Sequence, residues 1–199
     1  MSRVKLTSRQ EQATRTKNKI YNVSIELMDK KGFNNITIEE ISKKAGVSVG
    51  AFYHYYKSKD DIFFEIYKKA DEYFKNEVAQ ELDDPSLNAL DKIVLFFSHY
   101  AKYNTERGIE NVSQLYNTKN KLFIEKGRYL INLLQKIVEE GQKQNEIFTE
   151  MTSESITEYL FIVSRGVVID WCFHDGDYDL QANMDLFIKR LVIIFKTKP

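Results

Sequence analysis

Cysteine, proline and glycine are all scarce in this chain, and each scarcity closes off a class of protein. Cys172 is the only cysteine, so an internal disulfide framework is excluded. It lies in an apolar run, where a small buried hydrophobe is the first reading and a redox-sensing thiol the second. Two prolines and eight glycines in 199 residues leave few turns, which favours long helices over a many-stranded fold. No apolar run reaches the roughly 18 residues that suggest a membrane span, and residues 1–19 are polar and charged without an apolar signal region. The expectation is a cytoplasmic protein with no membrane partner. His54, His99 and His174 are far apart, and neither HExxH nor paired CxxC occurs, so no metal and no cofactor is expected. A nucleophile–base pair, a carboxylate pair at a useful spacing and a phosphate loop are missing as well, which argues against an enzyme.

Apolar material is present in quantity. Hydrophobic residues make up 43% and charged residues 29%, enough to bury a core and to exclude disorder. Lys and Arg balance Asp and Glu at 29 each, but unevenly along the chain. Residues 1–59 hold twelve cations against five carboxylates, a net +7, which leaves residues 60–199 at −7. A basic head on an acidic body suggests a polyanion partner for the head alone, although a solvated charged face would look the same.

Periodicity reads as helix almost throughout, so the fold class is all-α. The first helix is expected from about Arg9 to Lys31, with Ile20, Val23, Leu27 and Met28 on one face and Gly32 as a left-handed stop. A short helix over Ile38–Ala45 starts from a capping box, Thr37 to Glu40. Gly46-Val47-Ser48 makes a turn, and a second short helix follows over Val49–Tyr56. Lys59 to about Leu82 reads as one long amphipathic helix, and Asp84-Pro85 as the start of another running to about Glu106. Further helices are expected over about 109–117, 122–143, 153–174 and 180–196, the last two separated by Asp175-Gly176-Asp177. Two domains are expected: a three-helix DNA-binding head over residues 1–59, and a linker helix with a larger helical ligand-binding and dimerisation domain over 60–199.

Residues 37–59 read TIEEISKKAGVSVGAFYHYYKSK. A helix of about eight residues, a Gly-containing turn and a second short helix fit a helix-turn-helix. Ala45 allows a close crossing, Gly46 the positive φ of the turn, and Gly50 and Ala51 a close approach to DNA. Phe52 faces the core, while Tyr53, His54 and Tyr55 can face outward. This stretch resembles the signature of the TetR (tetracycline repressor) family, matching at Gly32, Phe33, Thr37, Ile41, Ala45, Gly46, Val47, Ser48, Gly50, Tyr53, Ser58 and Lys59. It departs at Ser42 for the usual alanine, Tyr56 for phenylalanine and Phe63 for leucine. The resemblance implies a phosphate contact for Thr37, and base edges or phosphates for Ser48, Val49 and Gly50. It further implies phosphate hydroxyl contacts from Tyr53 and Tyr55, a base or backbone contact for His54, and a phosphate contact for Lys59. Hydroxyls and lysine would position the domain and few side chains would read bases, so DNA shape would carry part of the specificity. Arg3, Lys5, Arg9 and Arg15 could add phosphate contacts or form a mobile tail.

The last two helices are apolar on more than one face, which suits a core on one side and a second subunit on the other. The resemblance implies a homodimer through a four-helix interface, double-stranded operator DNA with an inverted repeat as partner, and a small molecule bound among the middle helices. Phe96, Tyr100, Tyr103, Tyr116, Phe123, Tyr129, Tyr159 and Trp171 make that region aromatic and suited to an apolar or flat ligand. His99, Gln114, Asn117, Arg128 and Arg165 are its candidate polar handles. The functional expectation is a transcriptional repressor released from its operator by such a ligand. The alternative is an architectural or cell-division DNA-binding protein on the same fold without an inducer.

Overall fold

The structure is a computed structural model that describes residues 7–116, 122–125 and 127–197. Helices make up the described chain, without a strand; one isolated antiparallel bridge joins Ile147 to Lys196. The chain divides into two compact units, Met1–Ile66 and Tyr67–Pro199. Arg3, Lys5 and Asn117 lie outside the described residues.

In the first unit, α1 (Ser8–Lys31) is followed by a 3-10 turn (Phe33–Asn35), α2 (Ile38–Ala45), α3 (Val49–Tyr55) and the start of α4 (Asp61–Tyr73). The start of α1 carries a full capping box. Thr7 Oγ1 accepts from the Gln10 N–H at 3.4 Å, and Gln10 Oε1 accepts from the Thr7 N–H at 2.8 Å. The box expected at Thr37 is only half made. Its hydroxyl accepts from the Glu40 N–H at 3.2 Å, but the Glu40 carboxylate pairs with Lys31 Nζ instead. A full positive charge outcompetes a backbone amide for a carboxylate. Ile20, Leu27, Met28, Ile36, Ile41, Ala45, Phe52, Tyr56 and Ile62 are buried and form the small core.

The second unit continues from α4 into a π turn (Phe74–Val78) and α5 (Ala79–Leu82), then α6 (Ala89–Arg107), α7 (Ile109–Leu115), a 3-10 turn (Leu122–Ile124), α8 (Tyr129–Lys143), α9 (Ser153–Phe173), α10 (Leu180–Leu191) and a final 3-10 turn (Val192–Phe195). The single long helix expected from Lys59 is therefore interrupted: the Ala79 N–H reaches back to Phe74 O. Phe74, Val78 and Leu82 are all buried. Residues four apart drift by about 40° per step in an α-helix, and a wider π turn takes back part of that drift. His99 of α6 fastens both sides of the turn, bonding the Tyr73 hydroxyl through Nδ1 at 2.8 Å and Glu81 through Nε2 at 2.9 Å. The helix start expected at Asp84-Pro85 is a turn, with the Ser86 N–H donating to Asp84 Oδ1 at 2.8 Å. Asn88 is the true N-cap of α6, accepting from the Asp91 N–H at 3.0 Å, and Glu146 accepts a further free amide from Ala89 at 2.6 Å.

The second core runs along α6, α8, α9 and α10, around Phe96, Phe97, Leu134, Leu160, Val168, Met184 and Ile188. Gly141 lets α8 pass close to α6: a Cβ there would stand 2.5 Å from Ala89 Cβ. The break between α9 and α10 falls at Asp175 (φ 51°) and Gly176 (φ 76°).

Candidate functional site

The turn between α2 and α3 is held by its own backbone. Gly46 takes φ 64° and ψ 38°, a left-handed conformation that favours glycine. Its N–H donates to Lys43 O at 3.2 Å, and the Val47 N–H donates to Ser42 O at 3.0 Å. Ser48 caps α3 by accepting from the Ala51 N–H at 3.1 Å. Thr37 and Ser48 use oxygen lone pairs as caps, so each hydroxyl keeps its O–H as a donor. Both are exposed, as are Gly50, Tyr53 and His54; Val49 and Tyr55 are half-buried. Phe52 and Tyr56 turn inward and are buried. A Cβ on Gly50 would meet nothing nearer than Ser48 Oγ at 3.9 Å, so this position is open. The fold thus brings Thr37, Ser48, Val49, Gly50, Tyr53, His54 and Tyr55 together on two short helices and their turn.

Lys59 has partners within its own unit. Its ammonium donates to Phe33 O at 2.7 Å and Ile36 O at 2.8 Å, and stands 4.4 Å over the Phe33 ring. Two of its three donors hold the segment that leads into Thr37 and α2. Other cations of the basic head are also engaged. Lys17 pairs with Glu65 at 2.7 Å, Lys30 and Lys44 both pair with Glu26 at 2.8 Å, and Lys31 pairs with Glu40. Hydrogen bonds from Lys30 and Lys44 hold the Glu26 carboxyl down at about 2.

The second unit gathers only part of the expected aromatic set. Phe96 is fully buried, with ring centroids 4.6 Å from Phe74, 5.1 Å from Phe97 and 6.0 Å from Phe161. Tyr100 lies 6.1 Å from both Phe97 and Phe161. Its hydroxyl bonds that of Tyr116 at 2.7 Å, and the Tyr116 ring lies 4.5 Å from Phe123. Burial pushes the Tyr100 hydroxyl up, while Tyr116, Arg165 and Arg128 act in the opposite sense. Arg165 donates to Phe161 O at 3.0 Å and Phe123 O at 2.9 Å. Arg128 pairs with Asp71 at 3.1 Å, at the start of the helix that opens on the half-buried Tyr129. The Tyr103 ring lies tilted against Tyr73 at 5.4 Å, with the Arg107 guanidinium 4.6 Å from it, and burial pushes the Tyr103 hydroxyl up to about 12.

Two expected members have other partners. Trp171 donates its Nε1–H to Tyr178 O at 3.0 Å, and a Cβ on Gly176 would stand 3.2 Å from its ring. It therefore ties the α9–α10 corner. Tyr159 is 43% exposed and meets Phe195 edge-on at 5.6 Å. His99 is bonded at both ring nitrogens to Tyr73 and Glu81. Phe74, Phe97 and Phe161 join the aromatic cluster without belonging to the expected set. A phenylalanine four residues before an arginine on the same helix face was the available signal for Phe161.

Tyr159, Ile162 and Phe173 of α9, Leu186 and Phe187 of α10, and Ile193 and Ile194 beyond it are all exposed. Gly166 lies within the α9 part of this face, and a Cβ there would meet nothing within 4 Å. Among the described residues no helix is long and apolar enough to cross a membrane.

Comparison with known proteins covers both units. The family described as "Bacterial regulatory proteins, tetR family" matches residues 20–66, and "YsiA-like protein, C-terminal region" matches residues 67–194. The fatty acid metabolism regulator protein of Bacillus subtilis is 24% identical over 179 residues, covering 87% of this chain and 92% of that protein. The solved structure of the regulator FadR from Bacillus subtilis with stearoyl-CoA superposes with a TM-score of 0.68 at 22% identity, over 88% of this chain and 97% of the other. That of Thermus thermophilus FadR, a TetR-family repressor, with lauroyl-CoA gives 0.72 at 19% identity, over 89% and 93%.

Proposed function

This chain belongs to the TetR family of bacterial regulatory proteins, and from that premise we propose that it is a homodimeric cytoplasmic repressor released from operator DNA by a long-chain acyl-CoA. Thr37, Ser48, Tyr53 and Tyr55 give hydroxyl donors to operator phosphates, while Val49, Gly50 and His54 lie at base edges or backbone. Lys59 acts as a positioning residue, because its donors hold the approach to Thr37. The exposed apolar face of α9 and α10 is covered by a second copy, and a two-fold dimer reads an inverted repeat with half-sites about 34–36 Å apart or a multiple of that.

The aromatic cluster carries the ligand assignment. Phe96, Phe97, Tyr100 and Phe161 pack into an apolar cluster that ends at the paired hydroxyls of Tyr100 and Tyr116. Arg128 and Arg165 lie beside that polar end. An apolar cluster that opens around a hydrocarbon tail, with arginines near one end, suits a ligand with a long hydrocarbon tail and an anionic head. The FadR structures that hold stearoyl-CoA and lauroyl-CoA support the same class. Reversing a 99:1 bound population takes about 5.5 kcal/mol of differential affinity, which burial of a long acyl chain can supply at about 0.8 kcal/mol per CH2.

The test is release from an operator obtained by selection from random duplexes. Stearoyl-CoA and lauroyl-CoA should lower operator affinity, whereas free CoA should not. If neither thioester changes affinity or the fluorescence of Trp171, the ligand class is wrong. If a broad ligand screen also fails, the architectural alternative replaces it. A monomer at micromolar concentration in sedimentation, still tight on the operator, would contradict the dimer.

A further inference from the structure

We propose that Lys19, on α1, is a contact to the DNA backbone at the turn of the helix-turn-helix. The proposal rests on the DNA-binding reading of the first unit.

The charge inventory of that unit separates engaged cations from free ones. Lys17, Lys30, Lys31 and Lys44 pair with carboxylates, and Lys59 with carbonyls. Among the described residues Arg9, Arg15, Lys19, Lys43 and Lys57 have no such side-chain partner, and Lys19 is exposed. Its ammonium is nevertheless close to the motif: a Cβ on Gly46 would stand 3.4 Å from Lys19 Nζ. The missing side chain of Gly46 leaves room for it there.

A purely structural role is the first alternative, since a cation beside the end of a helix can cap its last carbonyls. Two of those carbonyls already have backbone donors. Lys43 O accepts from the Gly46 N–H, and Ser42 O from the Val47 N–H. Lys59 shows what a capping lysine looks like in this fold, with two carbonyls within 2.8 Å. Lys19 holds none, so all three of its donors are available to an outside acceptor. The turn it borders leads directly into Ser48 and the recognition helix α3. An unpaired ammonium here matches the requirement for a phosphate contact: positive charge, free donors and proximity to the reading helix.

The experiment compares Lys19→Gln, Lys19→Arg and wild type across a salt series on the selected operator and on a random duplex. Lys30→Gln is the charge control, because it removes the same charge from an ion pair. Lys19→Gln should weaken both duplexes several-fold and lower the slope of log K against log[salt] by about one per subunit. Lys19→Arg should restore the slope, and the melting temperature should not move. An unchanged slope overturns the proposal. A lowered melting temperature with an unchanged slope does so too, in favour of a structural role. Equal effects from Lys30→Gln would reduce the contact to net charge and also overturn it. A wild type that binds no duplex would instead show that the DNA-binding reading has failed.

Discussion

Replacing Lys59 by methionine separates two roles that one motif position can play. Methionine keeps most of the stem and removes the ammonium. The structure gives that ammonium two carbonyl acceptors, Phe33 O at 2.7 Å and Ile36 O at 2.8 Å, and places it 4.4 Å over the Phe33 ring. Hydrogen bonds to a charged group contribute about 1.5–3 kcal/mol each when buried, and a cation over an aromatic face about 0.5–1 kcal/mol. Lys59 is only half-buried, so water can replace part of what is lost. The net destabilisation should be about 2 kcal/mol, which in a chain of 199 residues lowers Tm by about 4–8 °C. DNA binding gives the second readout. A phosphate contact would lower the salt slope by about one per subunit, whereas a carbonyl cap leaves it nearly unchanged and weakens affinity through the disordered approach to Thr37. Thermal melts and operator titrations at several salt concentrations measure both. An unaltered Tm together with a lowered slope would refute the positioning role and return Lys59 to the phosphate.

Three further outcomes follow from atoms that fit badly, tightly or inertly. Ser42 Oγ is buried without a hydrogen-bond partner, so Ser42→Ala should stabilise the protein by about 0.5–1 kcal/mol; a lower denaturation midpoint would contradict this. Gly141→Ala would put a Cβ 2.5 Å from Ala89 Cβ and 2.8 Å from Ile147 Cδ1, and the overpacking should cost about 1–3 kcal/mol by chemical denaturation. An unchanged midpoint would mean that α6 and α8 separate freely. Burial pushes the Cys172 thiol up to about 11, so its alkylation should be slow at neutral pH and rise about tenfold per pH unit towards that value. Rapid labelling of the folded protein at pH 7 would disprove the shift.

Where helix signals had no competitor, the sequence was enough. Ile38–Ala45 and the break at Gly176 follow from spacing, small residues and positive φ. Where two signals competed, the stronger local pattern misled. Asp84-Pro85 has the chemistry of a helix start, yet Asn88 is where the Asp91 amide finds its acceptor and where Glu146, from a distant loop, takes a second amide. No local rule could find Glu146. The π turn is similar in kind: the stripe through Phe74, Val78 and Leu82 was visible, but the turn that aligns it is held by His99 from another helix. The aromatic set is legible as a composition, whereas which rings meet is decided by tertiary packing. Tyr159 and Trp171 share a helix with Phe161 but have Phe195 and Tyr178 as partners instead.

The two lysines carry the same lesson into function. A motif reports that a cation stands at position 59, and family resemblance attaches a phosphate to it. It cannot report that Phe33 O and Ile36 O reach that cation first. Position 19 belongs to no motif, and in the sequence it is one of twelve basic residues in the head. Its distinction is tertiary: it stands unpaired beside the Gly46 turn, while the Glu26, Glu40 and Glu65 carboxylates pair with other lysines and the turn's own amides take Ser42 O and Lys43 O. Charge that can act on DNA is therefore what remains after the fold has paired its own ions. That remainder, rather than the net +7 of residues 1–59, should set the salt dependence of binding. A slope matching all the head's cations would contradict this view, and a slope matching only its unpaired ones would support it.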